Sequence, residues 1–170
     1  YRFDLERLSA QVSDKTKLLL FCSPHNPIGR VWSSEELFEL CRWCEERGIV
    51  ILSDEIHCDL VYAPHNHIPT ARISPENTVM LSGPGKTFNM AGFSISTVCI
   101  PSQSLRDKYD VERKRVHWGD GAVLSHIAFE AAYRKGGEWY EKLMEHLTSN
   151  AERIEKTLSS TPIRYAKSEA

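Results

Sequence analysis

An α/β fold, a mostly parallel sheet with flanking helices, is what these 170 residues predict. Three observations carry that expectation. An apolar run, a capped amphipathic segment and a second apolar run follow one another between Lys17 and Ser53, the order of a right-handed crossover joining parallel strands. Three polar residues, Asn26, Asp54 and Lys86, each stand just past an apolar run, as side chains do in a site at the carboxyl edge of a parallel sheet. From Pro101 onward the pattern turns helical.

Taken in order, Lys17-Leu18-Leu19-Leu20-Phe21-Cys22 reads as a short buried strand. Ser23 to Arg30 is dense in chain breakers and is expected to be loop. Ser33 and Glu36 have capping-box spacing; Leu37, Leu40, Cys41 and Cys44 then share one helical face, and Gly48 closes the helix. Ile49 to Ser53 is the next strand, ending at Asp54. The stretch from Glu55 to Asn77 is irregular, rich in His and Pro, and too long for a tight connection, which points to a functional loop. Thr78-Val79-Met80-Leu81 is strand-forming, and Gly83-Pro84-Gly85 breaks it, so that Lys86 falls on a turn. Ser94 to Ile100 alternates polar and apolar residues and predicts a half-buried strand. Helices are expected over Ser104–Arg115, Gly121–Arg134 and Trp139–Leu158, the last two separated by Gly136-Gly137. Ile163-Arg164-Tyr165-Ala166 reads like the start of a strand. There is no internal repeat.

Composition narrows the classes of function. With 21 basic and 23 acidic residues, nothing favours nucleic acid or an anionic membrane surface as a partner. No apolar run has the length of a membrane span, and the start, Tyr1-Arg2-Phe3-Asp4, lacks the pattern of a signal peptide. Five cysteines, an odd number lying mostly in apolar patterns, read as reduced thiols of a cytoplasmic protein. The absence of an initiator Met, with the unpaired strand start near the other end, reads as a piece of a longer protein.

Several motifs have ordinary explanations. Gly83-Pro84-Gly85-Lys86-Thr87 resembles the end of a phosphate-binding P-loop, but Met80 stands where that motif needs its first glycine. Cys41-Arg42-Trp43-Cys44 is a CxxC lying inside a helix on its apolar side, where core packing rather than redox chemistry is expected. His57, Cys58, His65 and His67 match no common zinc spacing, and no metal is expected. Arg113-Lys114-Arg115 is flanked by acids and reads as a solvated helix end.

Asn26, Asp54 and Lys86 remain. An amide, a carboxylate and an amine around one pocket suit a pyridine-aldehyde cofactor. The amine can bond the aldehyde, the carboxylate can keep the ring nitrogen protonated so that the ring accepts carbanion electrons, and the amide can donate to the ring hydroxyl. The order Asn-Pro-x-Gly, then Ser-Asp-Glu, then a Lys after a Gly-rich turn resembles the large domain of fold-type I pyridoxal-phosphate enzymes, the class I/II aminotransferase superfamily. Within it, Pro24-His25-Asn26-Pro27-Ile28-Gly29-Arg30-Val31-Trp32, Ser53-Asp54-Glu55-Ile56-His57-Cys58-Asp59-Leu60 and Lys86-Thr87-Phe88-Asn89-Met90-Ala91-Gly92 are similar to the cystathionine β-lyase-like C–S lyase branch.

That resemblance implies pyridoxal 5'-phosphate as cofactor, Lys86 as the catalytic Schiff-base lysine, Asp54 as partner of the ring nitrogen and Asn26 as donor to the ring oxygen. His57 stands three residues past the aspartate, where many relatives carry a tyrosine near that oxygen. Two departures are visible. Gly83 and Gly85 stand where relatives often have phosphate-holding serines, leaving backbone N–H groups and Ser82, and Ser94 stands where many aminotransferases place a phosphate-binding arginine. The implied activity is β-elimination from cystathionine or cysteine, giving thiol, pyruvate and ammonia. The alternatives are an amino acid aminotransferase and a non-catalytic ligand-sensing or scaffold domain. By the same resemblance residues 1–136 belong to the large cofactor-binding domain, residues 137–170 to a connecting helix and the start of a small C-terminal domain, and the protein is a homodimer acting on a small amino acid.

Overall fold

The computed structural model describes residues 1–170 as a four-stranded sheet in the order β1-β2-β3-β4 with helices around it. The strands are β1 (Leu18–Cys22), β2 (Val50–Asp54), β3 (Thr78–Ser82) and β4 (Thr97–Cys99). The first three are parallel and β4 pairs antiparallel with β3, so the predicted α/β class holds. The helices are α1 (Leu5–Ser9), α2 (Ser34–Glu45), α3 (Thr70–Ile73), α4 (Pro84–Thr87), α5 (Gln103–Arg115), α6 (Val123–Lys135) and α7 (Gly137–Leu158).

The crossover forms as its sequence dictates. Ser33 Oγ accepts from the Glu36 N–H, and Glu36 Oε2 accepts from the Ser33 N–H at 2.8 Å, so two orphan donors at the start of α2 are satisfied. Leu37, Leu40, Cys41 and Cys44 are buried on one face of the helix against Phe21, Ile49 and Ile51 of the sheet layer. Trp32 and Trp43 complete that core, and Phe3, Leu5 and Leu8 pack on it from the first residues of the chain. Each large side chain fully withdrawn from water there contributes about 1.5–3 kcal/mol.

Four local expectations change. The strand foreseen over Ser94–Ile100 shrinks to Thr97–Cys99, because a 3₁₀ turn at Ala91–Phe93 and a left-handed Ser94 (φ 49°) keep the chain irregular until Thr97. The apolar run of β1 is buried on one side only: Leu18 and Leu20 are 49% and 73% exposed, since no element of this chain covers that face. One-turn helices occupy Thr70–Ile73, inside the long loop, and Pro84–Thr87, so Lys86 sits on a helical turn. Ile163 to Ala166 joins no sheet, whereas the residues just after it dock on the loop past β1, where the N–H of Glu169 donates to Gly29 O at 2.7 Å.

Candidate active site

Register brings the strand ends level. Cys22 pairs with Asp54, and Asp54 with Leu81, so the carboxyl ends of β1, β2 and β3 lie side by side. A parallel sheet presents its ligand-binding crevice at that edge. Asn26 is carried just past β1, on a turn closed by His25 N–H to Arg30 O at 2.8 Å and Gly29 N–H to His25 O at 2.9 Å. Asp54 ends β2 exposed; its Oδ1 accepts from the Ile56 N–H at 3.1 Å, leaving Oδ2 open. Lys86 is exposed on α4. Ser82, the last residue of β3, is half-buried, and its hydroxyl is 3.5 Å from Cys58 Sγ and donates to Glu55 O at 3.4 Å, turned toward the loop after β2.

His57 reports that these groups converge. Its pKa lies below the ordinary histidine value, first because it is partly buried and second because the Lys86 ammonium is near; the Asp54 carboxylate works the other way. The amine and the carboxylate are therefore each within electrostatic reach of the imidazole. His57 also lines a cavity of about 200 Å³ with Asn26, His25, Tyr62, Leu147 and Ala170. The structure thus sets Asn26 and His57 on one cavity, beside the level strand ends from which Asp54 and the Lys86 turn emerge. A larger open cavity of about 780 Å³, between β4, α5 and α6, holds none of these residues.

The donor set fits pyridoxal phosphate: an exposed amine, an exposed carboxylate with one free oxygen, an amide, and an imidazole held toward its neutral form. The glycines in front of the lysine fit differently from each other. A Cβ at Gly83 would come within 3.1 Å of Ile95 O and Ser96 Cα, so a serine there would need the crossing chain to give by a few tenths of an ångström, whereas at Gly85 the nearest atom would be 3.7 Å away.

Other candidates dissolve. Cys41 and Cys44 are buried in α2, and burial pushes their thiols up to about 12 and about 11, away from redox reactivity. All five cysteines are free thiols. No three His, Cys, Asp or Glu residues come together as a metal-holding group. No helix is long and apolar enough to cross a membrane.

Two acids were passed over by sequence reasoning. Glu55 is 1% exposed; its Oε1 accepts from Ser53 Oγ at 2.8 Å and the Thr70 N–H at 2.9 Å, and its Oε2 lies 2.6 Å from His67 Nε2. It therefore pins both ends of the loop that carries His57. Strand alternation was the available signal: if Asp54 faces outward, the next side chain faces inward. Asp59, further along the same loop, accepts from Thr87 Oγ1 at 2.8 Å. No local pattern announces that contact.

Fold and strand-end site together define a class, and the match to the model of the family described as aminotransferase class I and II runs over residues 1–170. The chain belongs to that family. Among its relatives, cystathionine beta-lyase PatB of Bacillus subtilis is 38% identical over 164 residues, 94% of this chain and 42% of that protein. Two solved structures are similar. The pyridoxal-phosphate-bound putative aminotransferase from Clostridium difficile has a TM-score of 0.90 at 34% identity, over 99% of this chain and 45% of that one. The pyridoxal-phosphate-bound C–S lyase from Staphylococcus hominis has a TM-score of 0.84 at 33% identity, over 94% of this chain and 41% of that one. The chain spans less than half the length of each of these relatives.

Proposed function

We propose that the whole protein is a pyridoxal-phosphate-dependent C–S β-lyase that cleaves cystathionine- or cysteine-type amino acids to thiol, pyruvate and ammonia. The observation that carries the cofactor site is the level strand ends, which set Asn26, Asp54 and Lys86 along one edge of the sheet beside the cavity that His57 and Asn26 line. Bound pyridoxal phosphate supplies an electron sink for the pair left behind when a Cα proton departs. In this reading Lys86 Nζ holds the cofactor's aldehyde carbon, and the free oxygen of Asp54 keeps the ring nitrogen protonated. Asn26 donates to the ring oxygen beside His57, whose neutral imidazole adds no charge there. The N–H groups of Gly83 and Gly85 would hold the phosphate, with Ser82 if its hydroxyl turns from Glu55 O, where it now donates. Once displaced by substrate, Lys86 Nζ takes the Cα proton as general base.

A thiolate is a good leaving group, so elimination asks little more of the chain, whereas transamination requires Lys86 to return the proton to a second carbon. Likeness to PatB, named a cystathionine beta-lyase, supports elimination. Likeness to the Clostridium difficile protein, named a putative aminotransferase, supports amino-group transfer as the second reading. Residues 1–136 would then belong to the large domain and 137–170 to the connecting helix and small domain. A cytoplasmic homodimer completes the proposal; Trp118, Val123 and Leu124, each more than 70% exposed, offer apolar surface for a second subunit.

The test uses the full-length protein. Borohydride reduction of the cofactor-loaded enzyme should fix a pyridoxyl group on Lys86. Cystathionine should yield pyruvate and thiol faster than any amino acid and keto acid exchange amino groups. Fast exchange without pyruvate would establish the aminotransferase reading, and an unlabelled Lys86 would end both.

A further inference from the structure

Lys86 sits on a helix of one turn, which has almost no stability of its own. The turn in front of it, Gly83-Pro84-Gly85, has no polar side chain with which to anchor itself. Its support comes from behind. Thr87 is 1% exposed and donates from Oγ1 to Asp59 Oδ2 at 2.8 Å. The same Oδ2 accepts from Tyr133 Oη of α6 at 3.1 Å, and the Asp59 carbonyl accepts from Tyr140 Oη of α7 at 2.8 Å. Phe88 meets Tyr133 edge-on, with ring centroids 5.1 Å apart, and fills the space at Gly136, where a Cβ would lie 2.5 Å from its ring. The two residues after the lysine are thus tied into the junction of α6 and α7 and into the loop after β2.

We infer that Asp59 is a positioning residue for Lys86: its carboxylate holds Thr87, and with it the helical turn bearing the lysine, in fixed register with the loop bearing His57. This rests on reading Lys86 as the amine that binds the cofactor. Lys86 must reach the cofactor carbon and then a Cα proton from one anchored backbone, and misplacement by about 1 Å is enough to cost on the order of a hundredfold in rate. Asp59 anchors the turn from its far side, where Gly83 and Gly85 offer no side chain to do so. A charged acceptor serving two hydroxyl donors makes bonds roughly twice as strong as neutral ones. Because the same loop carries His57, one acid sets the separation between imidazole and amine.

The test compares Thr87→Val, which keeps the shape and deletes the donor, with Thr87→Ser, which keeps the donor. Two quantities are read on the full-length protein. The first is hydrogen exchange in the cofactor-free state at the amides of Phe88 and Met90, which donate to Pro84 O and Gly85 O at 2.9 and 3.0 Å. The second is the pH midpoint of the visible absorbance after loading with pyridoxal phosphate. Thr87→Val should speed exchange at these amides by about ten- to a hundredfold relative to amides of α2, the factor that a hydrogen bond to a charged group represents. It should also move the midpoint, and Thr87→Ser should restore both. Unchanged exchange, or faster exchange with an unmoved midpoint, overturns the inference and leaves Asp59 a packing residue. Should Thr87→Val fail to fold, Asp59→Asn is read by the same two measures and criteria. Borohydride labelling of wild-type Lys86 separates the two failures: no label defeats the functional reading, whereas a label beside an unresponsive Thr87→Val defeats this inference alone.

Discussion

Asp54 uses one oxygen for the protein and leaves the other open. Asparagine in its place can keep the bond from the Ile56 N–H while losing the charge. Asp54→Asn should therefore lower turnover of the loaded enzyme by roughly a hundred- to a thousandfold, the scale of losing one group that answers developing charge. Its melting free energy should stay within about 0.5 kcal/mol, the range of surface changes. Steady-state kinetics beside thermal melts check both halves. His57 is held below its ordinary value by burial first and by Lys86 second. Removing the ammonium with Lys86→Met should thus raise the midpoint only partway, as read by imidazole NMR on cofactor-free protein. The sign for stability follows. The unfolded chain takes the proton more readily, so what neutral His57 contributes is full above the ordinary histidine value and is lost as pH falls from there toward the folded value.

At the scale of elements, α2 decides whether the crossover forms, and its start is over-determined. The Ser33–Glu36 box satisfies two donors, and Arg30 Nη2 donates to both oxygens of Glu36 at 2.8 Å, joining the loop of Asn26 to the helix start. Ser33→Ala should cost about 1 kcal/mol in urea unfolding. Arg30 remains on Glu36 in that variant, so the loss should appear in stability and leave cofactor affinity unchanged. A fall in affinity matching the fall in stability would show that the Asn26 turn takes its shape from the cap.

Across the whole molecule, residues far apart in the chain meet beside the loop that carries Asn26. Glu169 Oε2 accepts from Arg30 Nη1 at 2.8 Å and from the Val31 N–H at 2.7 Å, and the Tyr62 N–H donates to Glu169 O at 2.9 Å. Partial burial works to raise the Glu169 pKa, but the Val31 N–H and the Arg30 guanidinium outweigh it, and the carboxyl titrates below its ordinary value. The stabilisation is therefore complete above the ordinary carboxylate value and lost as pH falls through the depressed folded value. Amide exchange at Tyr62 should accelerate in that acid window while amides of α2 stay protected, and Glu169→Gln should show the faster exchange already at neutral pH. Uniform acceleration across the molecule would mean that the contact is not a separate unit.

What the chain order determined by itself was local: apolar runs of strand length, a cap written in Ser33 and Glu36, breakers at Gly83-Pro84-Gly85, and a polar residue within a few positions past each run. Periodicity and caps act within a few residues, so these elements were legible without coordinates. The motif order was enough to name the family. The extent of β4 was not legible, because alternation cannot foresee a left-handed Ser94, nor was the exposure of Leu20, because a strand does not record whether anything covers its second face. Glu55 and Asp59 stayed silent for the same reason. Each is one acid in a loop until folding brings His67 and Thr70 to the first and Thr87, Tyr133 and Tyr140 to the second. A buried carboxylate is stable only with its partners in place, and those partners lie far along the chain, so tertiary structure alone decided what these acids hold.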